Sequence, residues 1–519
     1  MDDTPQPGRR RWRLSGRRPW IDDPVVRAMV LVYPLVRLLG VIAAAPVNAP
    51  DADGYRVPND NFLNFSLVSL DGHSIRPWGV TIWMALWPSN RGILLGQVAL
   101  SVVAWAALAV TVAKGIEHPV FRRVMAFVLL LLSCTAQVTA WDANMLSESV
   151  SVSTGVLALA AVIRFTRQPS WTRAGVLVLA ALWFAMTRPN VFTVLLAWAV
   201  AMVVVGVLRR QIVLWGAVAG ALVLTSLYAY VYNVRSDDTW RAVMGVTRTT
   251  IAYAYPIASN NPVAEDVLAD VRASDAPRCM IPATPGDVSR RGTTRWVHRT
   301  AETCPGMDAW ATDNWTRWWA GWLLHHPRKT LTIIRTELPN ALSPPVNATV
   351  TAPAPEFVGS MFFGSTSIPQ SSYPKLDYRT QPLFLWLGAI ITLAVLTRRR
   401  FRGDSWHTDL VVLFGAGGAL VSAITGVLLI QAAPDGIGRE NTGVAVLLTA
   451  SCLALVGLGL GRLSSTTSPE PQRSDSAPAP GLPPNPPAAA EGRPERNDTE
   501  RTDTQDLAAD MPRQDHPVG

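Results

Sequence analysis

Apolar residues gather into ten runs that are long enough, or nearly so, to cross about 30 Å of hydrocarbon. They fall near 25–45, 94–113, 124–140, 149–163, 173–187, 190–208, 212–232, 381–397, 409–430 and 442–461, the fourth and fifth being short. The polar stretches between them alternate in charge. "KGIEHPVFRR", "RFTRQPSWTR", Arg209–Arg210 and "TRRRFRGDSW" are basic, as is the N-terminal tail. "WDANMLSES", "TRPN", "APDGIGRE" and two long loops are acidic or mixed. Basic loops stay inside, so the pattern predicts an all-α integral membrane protein of about ten spans with both termini cytoplasmic. An error of one span would break the alternation.

The predicted organisation is a basic N-terminal segment (1–24), seven spans (25–232) that include a first outer loop (46–93), a large outer loop (233–380), three further spans (381–461) and a tail (462–519). The tail is rich in Pro, Ser, Ala and charge and predicts disorder. The large loop contains "WATDNWTRWWAGWLLHHPRKTLTIIRTEL", which has helical period and five closely spaced tryptophans. It reads either as a surface helix on the outer leaflet, where Trp prefers the headgroups, or as a core helix of the loop itself. Surface helices are expected in both long outer loops.

Composition fits a membrane protein. Of 519 residues 49% are hydrophobic and only 16% charged, with a mean hydropathy of +0.20, whereas soluble domains carry about 25% charged residues. The run after the basic N-terminus lacks a small-residue cleavage site and reads as a retained first span. The net charge of +8 does not point to nucleic acid, because the arginines cluster at the ends of apolar runs, where they set topology. Cys134 and Cys452 lie in apolar runs, which leaves Cys279 and Cys304 in the large loop as candidates for a disulfide.

Ionisable residues at span ends are functional candidates. On the predicted outer side lie Asp51, Asp53 and Asp60, His73 and Arg76, Asp142 and Glu148, Arg188, and Asp435, Arg439 and Glu440. Carboxylates and arginines thus approach one face from several loops, as a site for a polar, anionic substrate would need. Each has an ordinary alternative. "PDADG" is also a plain turn, Glu148 suits a helix start, and Arg188 and Arg439 suit snorkelling anchors. His325 and His326 are adjacent on a helix and point apart, which argues against metal ligation.

Short stretches in this order resemble the GT-C superfamily of multi-spanning glycosyltransferases, which use polyprenyl-phosphate-linked sugars. In "PDADGY", Asp51 and Tyr55 have the spacing of the family's Pro-Asp-Ser-x-x-Tyr, with Ala52 in the Ser position. "GHSIRPWGVTIWMAL" is similar to the Arg-x-Pro-Gly-Tyr-Pro surface helix, with shifted spacing around Arg76-Pro77-Trp78-Gly79. "NMLSES" places Glu148 in the family's Ser/Thr-Glu position, and "LAALWFAMTRPN" ends in its Arg188-Pro189. "WLLHHPRKTL" resembles a His-Pro surface helix, and "GRENTGVAVLL" an Arg-Tyr-x-x-Pro span entry with Glu440 in the Tyr position. The resemblance spans the layout from about 25 to 460.

The resemblance implies sugar transfer from a polyprenyl-phosphate donor to an envelope glycan, lipid or protein acceptor on the extracytoplasmic face of the plasma membrane. It implies Asp51 as general base, with Asp53 as its rival, and inversion at the anomeric centre. Tyr55, Arg76, Glu148, Arg188 and Arg439 would bind substrate. No metal is assigned, because carboxylates scattered over several loops do not define a cage; a divalent cation stays open as a cofactor. A transporter and a non-catalytic envelope scaffold are the alternatives. Transporters place charges at the midplane between repeated halves; here charges sit at span ends and the spans split seven to three.

Overall fold

The computed structural model describes residues 23–42, 76–142, 144–258, 261–342, 406–430 and 441–465, all within one compact unit, Met1–Ser468. Asp51, Asp53, Tyr55, Arg439, the predicted span 381–397 and the tail beyond 465 lie outside the described residues. Every element among the described residues is helical.

A bundle is built from α1 (Pro24–Ile42), α2 (Trp78–Ala85), α3 (Asn90–Ala113), α4 (Pro119–Ser133), α5 (Ala136–Asp142), α6 (Ser147–Arg167), α7 (Trp171–Ala185), α8 (Phe192–Arg209), α9 (Ile212–Met244), α17 (Trp406–Thr425) and α18 (Thr442–Ser465). Six of these (α3, α6, α8, α9, α17 and α18) are long and apolar enough to cross a membrane, and α7 is a shorter apolar helix. The predicted span 124–140 is broken, because α4 ends at Ser133 and α5 restarts at Ala136. Thr135 turns its hydroxyl back onto the Leu132 carbonyl at 2.7 Å, the local hydrogen bond by which hydroxyl residues compete with a continuing helix.

Local chemistry fixes several ends. Ser89 and Ser170 cap α3 and α7 by accepting from the Gly92 and Arg173 amides, and Pro119 opens α4 at a position that needs no amide donor. Gly245 closes α9 with φ 75°, the left-handed conformation that glycine adopts without strain.

The bundle is layered around α6. Its apolar window is 89% buried, as is that of α18, against 39% for α9. α6 packs on α3, α7, α17 and α18. Its start, "SESVSVSTG", is rich in small residues, which let helix backbones approach closely there. The outer helices instead expose large side chains, such as Leu31 and Leu35 on α1 and Leu224 and Leu227 on α9, an apolar girdle of the kind a bilayer covers. α8 and α17 approach closely at Gly418, where a Cβ would lie 2.7 Å from the Ala197 Cβ and 2.9 Å from the Val194 Cα.

Residues 246–342 form a helical domain at one end of the bundle: α10 (Arg248–Ala254), α11 (Ala264–Arg272), α12 (Pro285–Arg291), α13 (Thr293–Thr303), α14 (Met307–Trp310), α15 (Thr316–His325) and α16 (Pro327–Ala341). A π-helical turn over Ala311–Trp315 joins α14 to α15. The tryptophan stretch is the core of this domain. Trp310, Trp315, Trp319 and Trp322 are buried, Trp315, Trp319 and Trp322 stack in series, and His326 continues the stack. Their indoles therefore face one another inside the domain, not a headgroup layer. Cys279 and Cys304 are joined by a disulfide.

Asp308 ties this domain to α9. It pairs with Arg241 at 3.0 Å and accepts from the Thr247 amide at 2.8 Å and the Thr250 hydroxyl at 2.5 Å. Burial pushes its carboxyl up, but those hydrogen bonds and Arg241 outweigh burial and hold it below the usual carboxylate range. A carboxylate whose pKa is depressed by folding stabilises the fold above its unfolded value and loses that contribution as pH falls through its folded one.

Two predictions follow from this packing. Gly418→Val forces backbone apart and destabilises by about 1–3 kcal/mol, whereas Gly417→Ala, with open space around it, is near neutral; thermal unfolding in detergent separates them. For Asp308→Asn, tryptophan fluorescence reports lower stability at pH 7 and a flatter loss below about pH 4 than in the wild type. Identical acid profiles count against Asp308.

Candidate functional site

Four chain segments that are distant in sequence meet at the end of the bundle that carries the helical domain. They are the start of α2, the α5–α6 turn, the α7–α8 turn and the start of α18. Glu148 lies in the first turn of α6 and is fully buried. Its Oε1 is 2.8 Å from Nη2 of Arg188, and the Ser147 hydroxyl donates to its Oε2 at 3.4 Å. Arg188, 5% exposed, precedes the 3-10 turn Pro189–Val191 that leads into α8. The positive end of the α6 dipole favours Glu148 as an anion. Neither charge would persist so deep without the other.

A second buried pair sits beside the first. Arg37 of α1 pairs with Asp142 at the end of α5. Asp142 also accepts from the hydroxyl of Ser149, next to Glu148. Arg37 further donates to the Ser133 carbonyl at 2.7 Å and the Ser101 hydroxyl at 3.1 Å.

The α2 segment is pressed onto the α7–α8 turn. The Gly79 amide donates to the Met186 carbonyl at 2.9 Å, and Trp183 Nε1 donates to the Gly79 carbonyl at 3.0 Å. A Cβ at position 79 would lie 2.6 Å from that Met186 oxygen, so only glycine fits. Trp78 Nε1 donates to the Tyr228 hydroxyl at 3.0 Å. Just before α18, Asn441 accepts from Asn190 Nδ2 at 2.9 Å, and Ser422 of α17 donates to the Asn190 carbonyl at 2.5 Å. Arg76 lies 5.2 Å from the centre of the Trp240 ring, and Arg248 lies 5.0 Å from it, both within cation–π reach.

Of the residues singled out in the sequence, Glu148 and Arg188 are brought together as an ion pair. Arg76 lies at the same end against Trp240. Cys279 and Cys304 belong to the adjoining domain. Asp51, Asp53, Tyr55 and Arg439 lie outside the described residues. Arg37, Asn190, Trp240, Arg248 and Asn441 were not singled out. For Arg37 a signal existed, since an arginine inside an apolar run needs a buried partner, and Asp142 was already among the acids of the same side. Among the described residues, no three His, Cys, Asp or Glu side chains gather as a metal cage.

Neither a protein-family model nor a curated protein matches the chain. Among solved structures it is similar to the archaeal oligosaccharyltransferase AglB from Archaeoglobus fulgidus, in complex with an inhibitory peptide and a dolichol-phosphate. The identity is 10% and the TM-score 0.39, over 86% of this chain and 51% of that one. The chain thus spans about half the length of that structure.

Glu148→Gln leaves Arg188 buried beside a neutral amide and is expected to destabilise by about 3–5 kcal/mol. The double change Glu148→Gln, Arg188→Met regains most of that loss. Equal unfolding temperatures for wild type and Glu148→Gln refute a stabilising pair.

Proposed function

We propose that the chain is a membrane glycosyltransferase of the GT-C type, which transfers a sugar from a polyprenyl-phosphate donor to an acceptor of the cell envelope. The observation that carries this reading is the convergence just described. "RPWG", "NMLSES", "TRPN" and the "NTG" of "GRENTG", which resemble family stretches and lie up to about 360 residues apart, share one end of the bundle around the Glu148–Arg188 pair. The disulfide in the adjoining domain supports a non-reducing, extracytoplasmic side for that end.

In this reading an acceptor hydroxyl attacks the anomeric carbon as the bond to the phosphate oxygen breaks. The lipid phosphate leaves with the bonding electrons, and Asp51 takes the hydroxyl proton. One displacement with one base inverts the anomeric centre. Asp53 is the rival base, and Tyr55 is beside both in the chain. Arg76 and Arg439 are suited to neutralise the phosphate as its charge grows. Arg188, which Glu148 holds in a fixed orientation, is suited to the same role. A divalent cation remains open as an aid to the leaving phosphate.

The test compares envelope glycans and lipids of a deletion strain carrying wild type, Asp51→Asn or Asp53→Asn at matched protein levels. Deletion is expected to remove one sugar from a glycan while its polyprenyl-phosphate sugar accumulates. Asp51→Asn is expected to lower transfer by about 10²–10⁴-fold. Loss with Asp53→Asn alone moves the base to Asp53. An unchanged glycan profile on deletion sinks the transferase in favour of a transporter or scaffold.

A further inference from the structure

The end of the bundle opposite the helical domain gathers arginines that no carboxylate answers. α6 starts at the domain end with Glu148, and its last turn, about 25 Å further along the axis, begins at Arg164. Gln168 closes that turn by donating its amide to the Arg164 carbonyl at 3.3 Å, and its own carbonyl accepts from Nη1 of Arg173 in the first turn of α7. The two ends of one short loop thus bear the two guanidiniums, close enough that Arg173 feels the charge of Arg164. The α8–α9 turn is held against the same place. Trp215, in the first turn of α9, and Phe165, next to Arg164, are fully buried with ring centres 4.9 Å apart. Arg209 lies over the Trp215 ring at 5.9 Å, and the exposed Arg210 closes α8.

Charge and level together select the partner. Residues 164–173 and 209–215 hold five arginines and no Asp or Glu. Of the acids at this end, Asp23 is held by Arg122 and Arg123, Asp409 is buried in the first turn of α17, and Glu117 is exposed on the α3–α4 loop. Among the described residues, no ion pair includes Arg164, Arg173 or Arg210. Like charges brought together repel, and an anion relieves that repulsion. The level is set by the apolar girdle. Trp171, two residues before Arg173, is 64% exposed, and Ile212 and Val213, just after Arg210, are 63% and 78% exposed. Each arginine-bearing turn thus passes directly into side chains of the girdle, so the anion belongs where hydrocarbon gives way to water, the layer that Trp and Arg favour at the ends of spans. A phospholipid meets both demands at once, with a phosphate for the guanidiniums and acyl chains for Ile212 and Val213.

We propose that Arg164, Arg173 and Arg210 bind the phosphate of an acidic phospholipid, whose acyl chains lie along the starts of α7 and α9. The proposal concerns lipid binding alone and stands whether or not the transferase reading does. Its test is native mass spectrometry of the full chain in a neutral detergent, titrated with phosphatidylglycerol or with phosphatidylcholine of the same acyl chains. The wild type is expected to bind phosphatidylglycerol at least about tenfold more tightly than phosphatidylcholine. The triple variant Arg164→Gln, Arg173→Gln, Arg210→Gln is expected to lose at least about tenfold in affinity for phosphatidylglycerol and to keep its affinity for phosphatidylcholine. Arg328→Gln, which changes an exposed arginine on α16 in the helical domain, is expected to match the wild type. Lysine at the same three positions keeps the charge and is expected to keep the preference. If the triple variant fails to fold, Arg164→Gln and Arg173→Gln are each expected to weaken phosphatidylglycerol binding on their own. Glycerol 3-phosphate, which offers the phosphate without the chains, is expected to leave the bound lipid in place at equal concentration. The proposal is overturned if the wild type binds the two lipids equally, or if the glutamine variants leave the preference unchanged or weaken both lipids alike. Displacement by glycerol 3-phosphate at equal concentration also overturns it, because the site is then one for a soluble anion.

Discussion

A buried guanidinium must keep a carboxylate within hydrogen-bond reach, and the head of α6 meets that demand twice. Glu148 answers Arg188, and its neighbour Ser149 donates to Asp142, which answers Arg37. In an apolar surrounding, separation of either pair strands a charge at a cost far above that of any single packing contact. The two pairs therefore set where the helices can stand. Through Arg37, Ser133, Ser101 and Asp142 the Arg37–Asp142 pair fixes α1, α4, α3 and α5 around the start of α6. Through Arg188 the Glu148–Arg188 pair fixes the turn between α7 and α8.

The rest of the site inherits its placement from this point. With the α7–α8 turn held by Arg188, the Met186 carbonyl is presented to Gly79 and the Asn190 side chain to Asn441. α2 and α18 are thereby brought to the same end as Glu148. Each of these contacts joins helix ends, where carbonyls and amides are not used up by the helix itself. The outcome is a floor of helix termini whose polar groups are rigidly set, the kind of base on which a precise site can be built.

Much of the bundle was legible in the sequence because membrane helices announce themselves by length and apolar composition, and the segments from 94–113 to 212–232 lie within or across observed helices. The break at Cys134–Thr135 was not, since a local hydroxyl bond leaves hydropathy unchanged. Glu148 and Arg188 were each legible as candidates, yet their pairing joins positions 40 apart through tertiary structure, and each alone looked like a helix start or an anchor. Arg37 was passed over because the run around it remains apolar on average. The tryptophan stretch gave two readings, and periodicity could not decide between them. The choice depends on whether neighbouring helices cover the Trp face, and here α10 and α13 bring Tyr253 and Trp296 onto it.

The tryptophan core also explains how the helical domain is coupled to the site. At the top of α17 the helix widens into a π-helical turn over Gly426–Ile430, a local irregularity that frees carbonyls for other partners. The Leu428 carbonyl accepts from Trp319 Nε1 at 2.5 Å, and Val427 is buried in the domain's core. A few residues below, on α17, Ser422 holds the Asn190 carbonyl, two positions from Arg188. The domain's aromatic stack is thus connected to the turn that carries Arg188 through one helix and two hydrogen bonds, Trp319 to the Leu428 carbonyl and Ser422 to the Asn190 carbonyl. A displacement of α15 must strain either the Trp319–Leu428 bond or the Ser422–Asn190 bond. The domain is therefore part of the frame of the site and not an appendage beside it.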